Sequence, residues 1–183
     1  MLEETDLIKS CSAGERAAQE ELYTRYATKV FTCCRRYCDN DADAEDILQD
    51  TFLVAFDRIS SFNYRGSISL QAWLCRIAIN QAIDRIRKRR RWPVLIRDSE
   101  KDDVAAPQEE ELEGVPPEKL LEMIAALPEM RRAVFNLYCL DCYTHREIGE
   151  MLGISEKGSA SILAKARNQL KREINKYLKV KRL

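Results

Sequence analysis

Four carboxylates and a glutamine fall within eight residues: Asp43, Glu45, Asp46, Gln49 and Asp50. Acids this close can hold a divalent cation, dock a basic partner or simply face water. A metal-dependent nucleic-acid enzyme would need further ligands, commonly histidines, to complete the coordination. The chain has one histidine, His145, so the spacing alone favours a solvated surface. Cysteines are the next reactive group: Cys11, Cys33, Cys34, Cys38, Cys75, Cys139 and Cys142. Cys139 and Cys142 form C-x-x-C, with no second such pair. An odd count in a helix-rich chain argues against a disulfide framework. The expectation is small buried hydrophobes, with no metal and no cofactor.

A third group suits nucleic acid. The segment 60–69, SSFNYRGSIS, sets Phe62, Asn63, Tyr64 and Arg65 in a loop. Aromatics beside arginine can stack on unpaired bases and hold them; equally, they can tuck into a core. The helix that follows starts with Trp73 and Arg76, continues through Asn80 and ends in Arg85, Arg87 and Lys88. Its basic end can grip a phosphate backbone, while Asn80 offers an amide to a base edge. The alternative is a charged, solvated helix end.

Net charge is zero, yet the charges are segregated. Residues 85–91 carry six basic side chains and no acid, and residues 165–182 carry eight basic side chains and one acid. Between them, residues 92–117 carry eight acids and two bases. Such blocks, rather than the total, decide which surfaces meet phosphate. No apolar run approaches membrane-spanning length, and the acidic, polar start is no signal peptide. A cytoplasmic location is expected.

Apolar residues recur at three and four along most of the chain, which predicts helices. Expected are a short helix through Ser10, a long one over about 15–38, one from Ala42 or Asp43 to Ile59 and one over about 70–91. Pro117 and Pro128 each open a further helix. The acidic, proline-containing stretch 92–117 reads as a flexible linker. The fold class is all-α, two small helical domains joined by that linker.

The segment 144–170 has helix-turn-helix form. Ile148 and Leu152 share a face, Gly149 permits close approach, and Gly153 stops the first helix by adopting a left-handed conformation. Ser155 caps the second helix. Ile162, Ala166 and Leu170 form its inner stripe. Glu156, Lys157, Ala160, Ser161, Ala164, Lys165 and Asn168 are small or polar and lie on the other face. A helix of this kind can enter a major groove.

Taken in order, DADAEDILQDTF, RGSISLQAWLCRIAINQAIDRIRKRRR, the acidic segment, ALPEMRRAVFNLYCLD and HREIGEMLGIS resemble the extracytoplasmic-function (ECF) sigma factors. The resemblance spans nearly the whole chain. It implies a region 2 domain at 1–91, a linker at 92–117 and a region 4 domain at 118–183. Asp46, Gln49 and Asp50, with Asp43 beside them, match the core-polymerase-binding helix. Trp73, Ile77 and Asn80 match the strand-opening helix that, with Phe62, Asn63, Tyr64, Arg65, Arg76, Arg85, Arg87 and Lys88, would handle −10 DNA. Glu156, Lys157, Ser159, Ala160, Ser161, Ala164, Lys165 and Arg167 would meet the −35 element. Ser159 stands where the family commonly has valine, and Ala160 and Ile162 where basic residues are common. Lys165 and Arg167 match the family's basic pair. Implied partners are core RNA polymerase through its β′ and β subunits, promoter DNA and, in many family members, an anti-sigma factor. No enzymatic activity of the chain's own and no membrane insertion are implied. The competing reading is a helix-turn-helix regulator with a partner- or ligand-sensing N-terminal domain. That reading leaves the basic helix end after Asn80 unexplained.

Overall fold

The computed structural model describes residues 2–89 and 114–181. Residues 90–113 hold Arg90, Arg91 and most of the expected acidic linker, and these lie outside the described residues. Among the described residues every regular element is helical. The chain divides into two compact units, Met1–Arg85 and Ile86–Leu183. No described helix is long and apolar enough to cross a membrane.

The first unit is built from α1 (Glu4–Ser12), α2 (Arg16–Arg35), α3 (Asp41–Arg58) and α4 (Ser67–Arg89), with a 3-10 turn at Ile59–Ser61. On α2 the residues Ala18, Leu22, Tyr26, Val30 and Cys34 are buried at every fourth position, a straight stripe down one side. Ala44, Ile47, Leu48, Thr51, Phe52 and Ala55 do the same on α3. Leu7 from α1 and Leu70, Leu74, Ala78 and Ala82 from α4 complete this core. α2 ends three residues earlier than periodicity predicts, at Arg35. α3 begins at Asp41 because Asn40 caps it: the Asn40 side chain accepts from the Asp43 N–H at 2.8 Å. An amide oxygen at that position satisfies an orphan N–H of the first turn.

The second unit holds α5 (Pro117–Ala125), α6 (Glu129–Phe135) continued by a π turn at Asn136–Leu140, α7 (His145–Leu152) and α8 (Glu156–Lys181). Ile124 and Leu127 pack on Ala166, Leu170 and Ile174 of α8. Nearer the turn, Val134, Leu137, Ile148, Leu152, Ile162 and Leu163 are buried.

Candidate nucleic-acid and polymerase interfaces

The helix-turn-helix is held by local bonds that the sequence specifies. Thr144 and Glu147 form a reciprocal capping box at the start of α7, which satisfies two orphan donors at once. Gly153 sits at φ 66°, the left-handed conformation expected of it. Ser155 accepts from the Gly158 N–H at 3.0 Å and so opens α8. A Cβ on Gly149 would come within 2.8 Å of the Ile154 carbonyl oxygen. The glycine therefore lets the turn backbone and the start of α8 fold against α7.

On α8 the residues Glu156, Lys157 and Ala160 are exposed, and Ser161, Ala164, Lys165 and Arg167 are half-buried. Two expectations are corrected here. Ser159 is fully buried, and its hydroxyl lies 3.0 Å from His145 Nδ1. Its side chain cannot reach a base edge and instead joins α8 to α7. Asn168 is also buried, at 4% exposure, so it belongs to the inner side of the helix. The His145 ring stacks on Tyr138, with centroids 4.4 Å apart. Arg167 lies 5.7 Å above the Tyr138 ring and within 3.9 Å of Cys139 Sγ. The guanidinium of an expected phosphate contact is thus already oriented by an aromatic face.

On α4 the exposed residues Ala72, Arg76 and Asn80 follow at every fourth position, so they form one outward line. Half-buried Trp73 lies beside that line, and its ring meets Phe62 at 4.9 Å. Phe62 is thus neither free in a loop nor lost in the core. The loop is pinned at its end: the Arg65 N–H donates to Ser69 Oγ at 3.2 Å, and Ser69 Oγ donates to the Gly66 carbonyl. The Glu4 carboxylate, which accepts from Tyr26, acts on the Tyr64 hydroxyl. Burial and that carboxylate together hold the Tyr64 hydroxyl above its ordinary pKa. Sequence reasoning missed Glu4, because sixty residues separate it from Tyr64 and no local pattern links them.

The acid cluster divides in two. Asp43 is engaged at the α3 cap, with its carboxylate 3.2 Å from the Asn40 amide. Asp46 and Asp50 face Arg85 of α4, at 3.6 and 2.8 Å. Arg85, expected among the DNA contacts, is therefore an inter-helix clamp, and two residues expected to meet polymerase are its partners. Asp46 remains 66% and Asp50 47% exposed at the side chain, so both still offer carboxylate surface. Gln49 is exposed between them, and Leu53 one turn on is 68% exposed. Arg87 and Lys88 lie on the exposed end of α4. No cluster of metal-ligating side chains is present among the described residues.

The first unit thus carries an exposed acid–glutamine–leucine face and an aromatic–asparagine line, and the second a capped helix-turn-helix. Residues 22–91 match the Sigma-70 region 2 model, and residues 118–170 match the Sigma-70 region 4 model. The ECF RNA polymerase sigma factor SigW of Bacillus subtilis is 30% identical over 180 residues, covering 91% of this chain and 94% of the relative. The chain belongs to the ECF RNA polymerase sigma factors. SigM of Mycobacterium tuberculosis is 27% identical over 169 residues, covering 92% of this chain and 83% of the relative. A solved structure of the sigma factor RpoE with the anti-sigma factor NepR from Bartonella quintana aligns with a TM-score of 0.49 at 21% identity. It covers 86% of this chain and 96% of that one. As a sigma factor the chain binds core RNA polymerase and directs it to promoters to initiate transcription; it is not an enzyme. The regulator reading is not favoured, because residues 22–91, where a sensing domain would lie, match region 2.

Proposed function

We propose a division of labour among the residues of this sigma factor. Residues 1–91 dock core polymerase and open the −10 element, 92–117 link the domains, and 118–183 read the −35 element. Asp46, Gln49 and Asp50, with Leu53 beside them, form the polymerase-facing surface of α3. Trp73, Arg76 and Asn80, with Phe62 and Tyr64, capture an unpaired −10 base, while Arg87 and Lys88 hold its backbone. Glu156, Lys157, Ala160, Ser161 and Ala164 approach −35 base edges, and Lys165 and Arg167 approach phosphate. Small side chains allow close approach but few bidentate contacts, so −35 selectivity is modest. The protein works in the cytoplasm, and an anti-sigma factor is a further partner, as family membership suggests.

The observation that carries this reading is the exposed line Ala72–Arg76–Asn80 beside the tilted Phe62–Trp73 ring pair. Stacking is worth roughly 1–3 kcal/mol per base. The test is run-off transcription by the reconstituted holoenzyme on duplex and on pre-melted templates. Asn80→Ala and Tyr64→Ala should impair the duplex template strongly and the bubble template little. Equal loss on both would sink the base-capture role.

A further inference from the structure

The thiols of Cys33, on α2, and Cys75, on α4, converge with their sulfurs 2.7 Å apart. Bonded sulfurs stand at about 2.05 Å, so a movement of well under 1 Å separates this pair from a disulfide. Both residues are only partly buried, so a small oxidant can reach them. The guanidinium of Arg36 acts on Cys75 and that of Arg85 on Cys34. These cations only partly offset the burial and the neighbouring sulfurs that raise both thiols. Cys34, beside Cys33 in sequence, is poorly suited to react: it is buried, and burial first, then the nearby thiols of Cys38 and Cys33, push it up to about 12. Cys75 is also raised, chiefly by its hydrogen bond with Cys33 and next by burial. The Cys33 thiol donates to the Cys75 sulfur, and the first attack is assigned to Cys33, with Cys75 as the resolving sulfur.

We propose that Cys33 and Cys75 are a peroxide-reactive redox pair that closes a reversible disulfide between α2 and α4. The Cys33 thiolate attacks hydrogen peroxide. An S–O bond forms, the O–O bond breaks, and Cys33 becomes a sulfenic acid with release of hydroxide. The Cys75 sulfur then attacks the Cys33 sulfur. The S–S bond forms, the S–O bond breaks, and the leaving hydroxide takes up the Cys75 proton as water. In sum, two thiols and one peroxide give one disulfide and two waters. Cellular dithiols reverse the reaction by exchange. A transient bond of this kind is the form in which disulfides occur in a reducing compartment. The closed loop contains all of α3 and the Phe62–Tyr64 loop, so the bond constrains the unfolded chain across the polymerase- and −10-facing elements.

The test uses the full-length protein, fully reduced and then treated with hydrogen peroxide. Peptide mapping without reductant should find Cys33 linked to Cys75, with a whole-protein mass loss of about 2 Da that dithiothreitol restores. The oxidised protein should melt roughly 10 °C higher than the reduced protein. Cys33→Ser and Cys75→Ser should each abolish the link and the shift, whereas Cys34→Ser and Cys38→Ser should keep both. A link running mainly to Cys34, Cys38, Cys139 or Cys142 would overturn the proposal. So would sulfinic acid at Cys33 with no cross-link, or a cross-linked protein with no thermal shift.

Discussion

Gly149 sits where a single added carbon cannot be absorbed. Its would-be neighbour at 2.8 Å is a backbone carbonyl of the turn, which has no rotamer to change. Gly149→Ala should therefore destabilise the second unit by about 1–3 kcal/mol, measured by urea denaturation, and should weaken −35 binding through the displaced α8. Ser159 poses the complementary case. Buried against His145, it should act on DNA only through the packing of α7 and α8. Ser159→Ala loses one hydrogen bond, about 1 kcal/mol. It should lower affinity for all −35 sequences alike in a binding assay across base variants. A change confined to one base position would show that Ser159 reads sequence after all. The sequence made the need for Gly149 legible, since a glycine beside an aliphatic pair and before a turn has few other uses. Ser159 was misread because a hydroxyl at helical spacing looks the same whether it faces DNA or a buried histidine.

The first two helices carry groups that prefer to stay neutral. Tyr26 on α2 is raised to about 12, by burial first and then by Glu4. Cys34 on α2 is raised to about 12, and Cys11 on α1 to about 11, chiefly by burial. A raised pKa means the folded state holds its proton when the unfolded chain has released it. The stability so gained is full below the unfolded values, about 8.5 for thiol and 10 for phenol. It is lost as pH rises through the folded values. Thermal melts in reductant should therefore show the first unit weakening steadily between about pH 9 and 12. Cys34→Ala should flatten the early part of that fall; an unchanged slope would show that Cys34 is not the group responsible. Periodicity alone exposed the buried stripe Leu22–Tyr26–Val30–Cys34, because every fourth residue of α2 is apolar or aromatic. It did not expose Glu4 beneath Tyr26, nor the Arg85 clamp on Asp46 and Asp50, because those partners lie on other helices. The caps show the same limit at short range. In sequence Asn40 suits a turn as well as a cap, and only its bond to the Asp43 N–H marks it as the cap of α3.

At the scale of the whole chain, charge is arranged in blocks whose sum is zero. Basic residues cluster at 85–91 and 165–182, the stretches proposed to meet DNA, and eight acids fill 92–117 between them. Exposed single charges interact weakly and are screened beyond about 8 Å at physiological salt, so only the acidic block as a unit should have an effect. In the free protein that block should shield the two basic stretches from DNA. Replacing Asp102, Asp103, Glu109, Glu110 and Glu111 with Asn or Gln removes five of the eight acids. Each helical unit should fold as before, since the changes exchange acids for neutral isosteres and leave Val115, which packs on the second core, in place. Binding of free protein to promoter DNA should tighten a few-fold at low salt. The gain should shrink as salt rises, because a more positive chain neutralises more phosphate and releases more counterions. Core binding should stay nearly unchanged, because the proposed polymerase-facing residues lie on α3. Fluorescence anisotropy over a salt series separates these terms, with competition for core polymerase as the control. If the neutral variant binds DNA with the same affinity and the same salt slope, the acidic block does not shield the basic stretches, and its composition serves only to join the two domains.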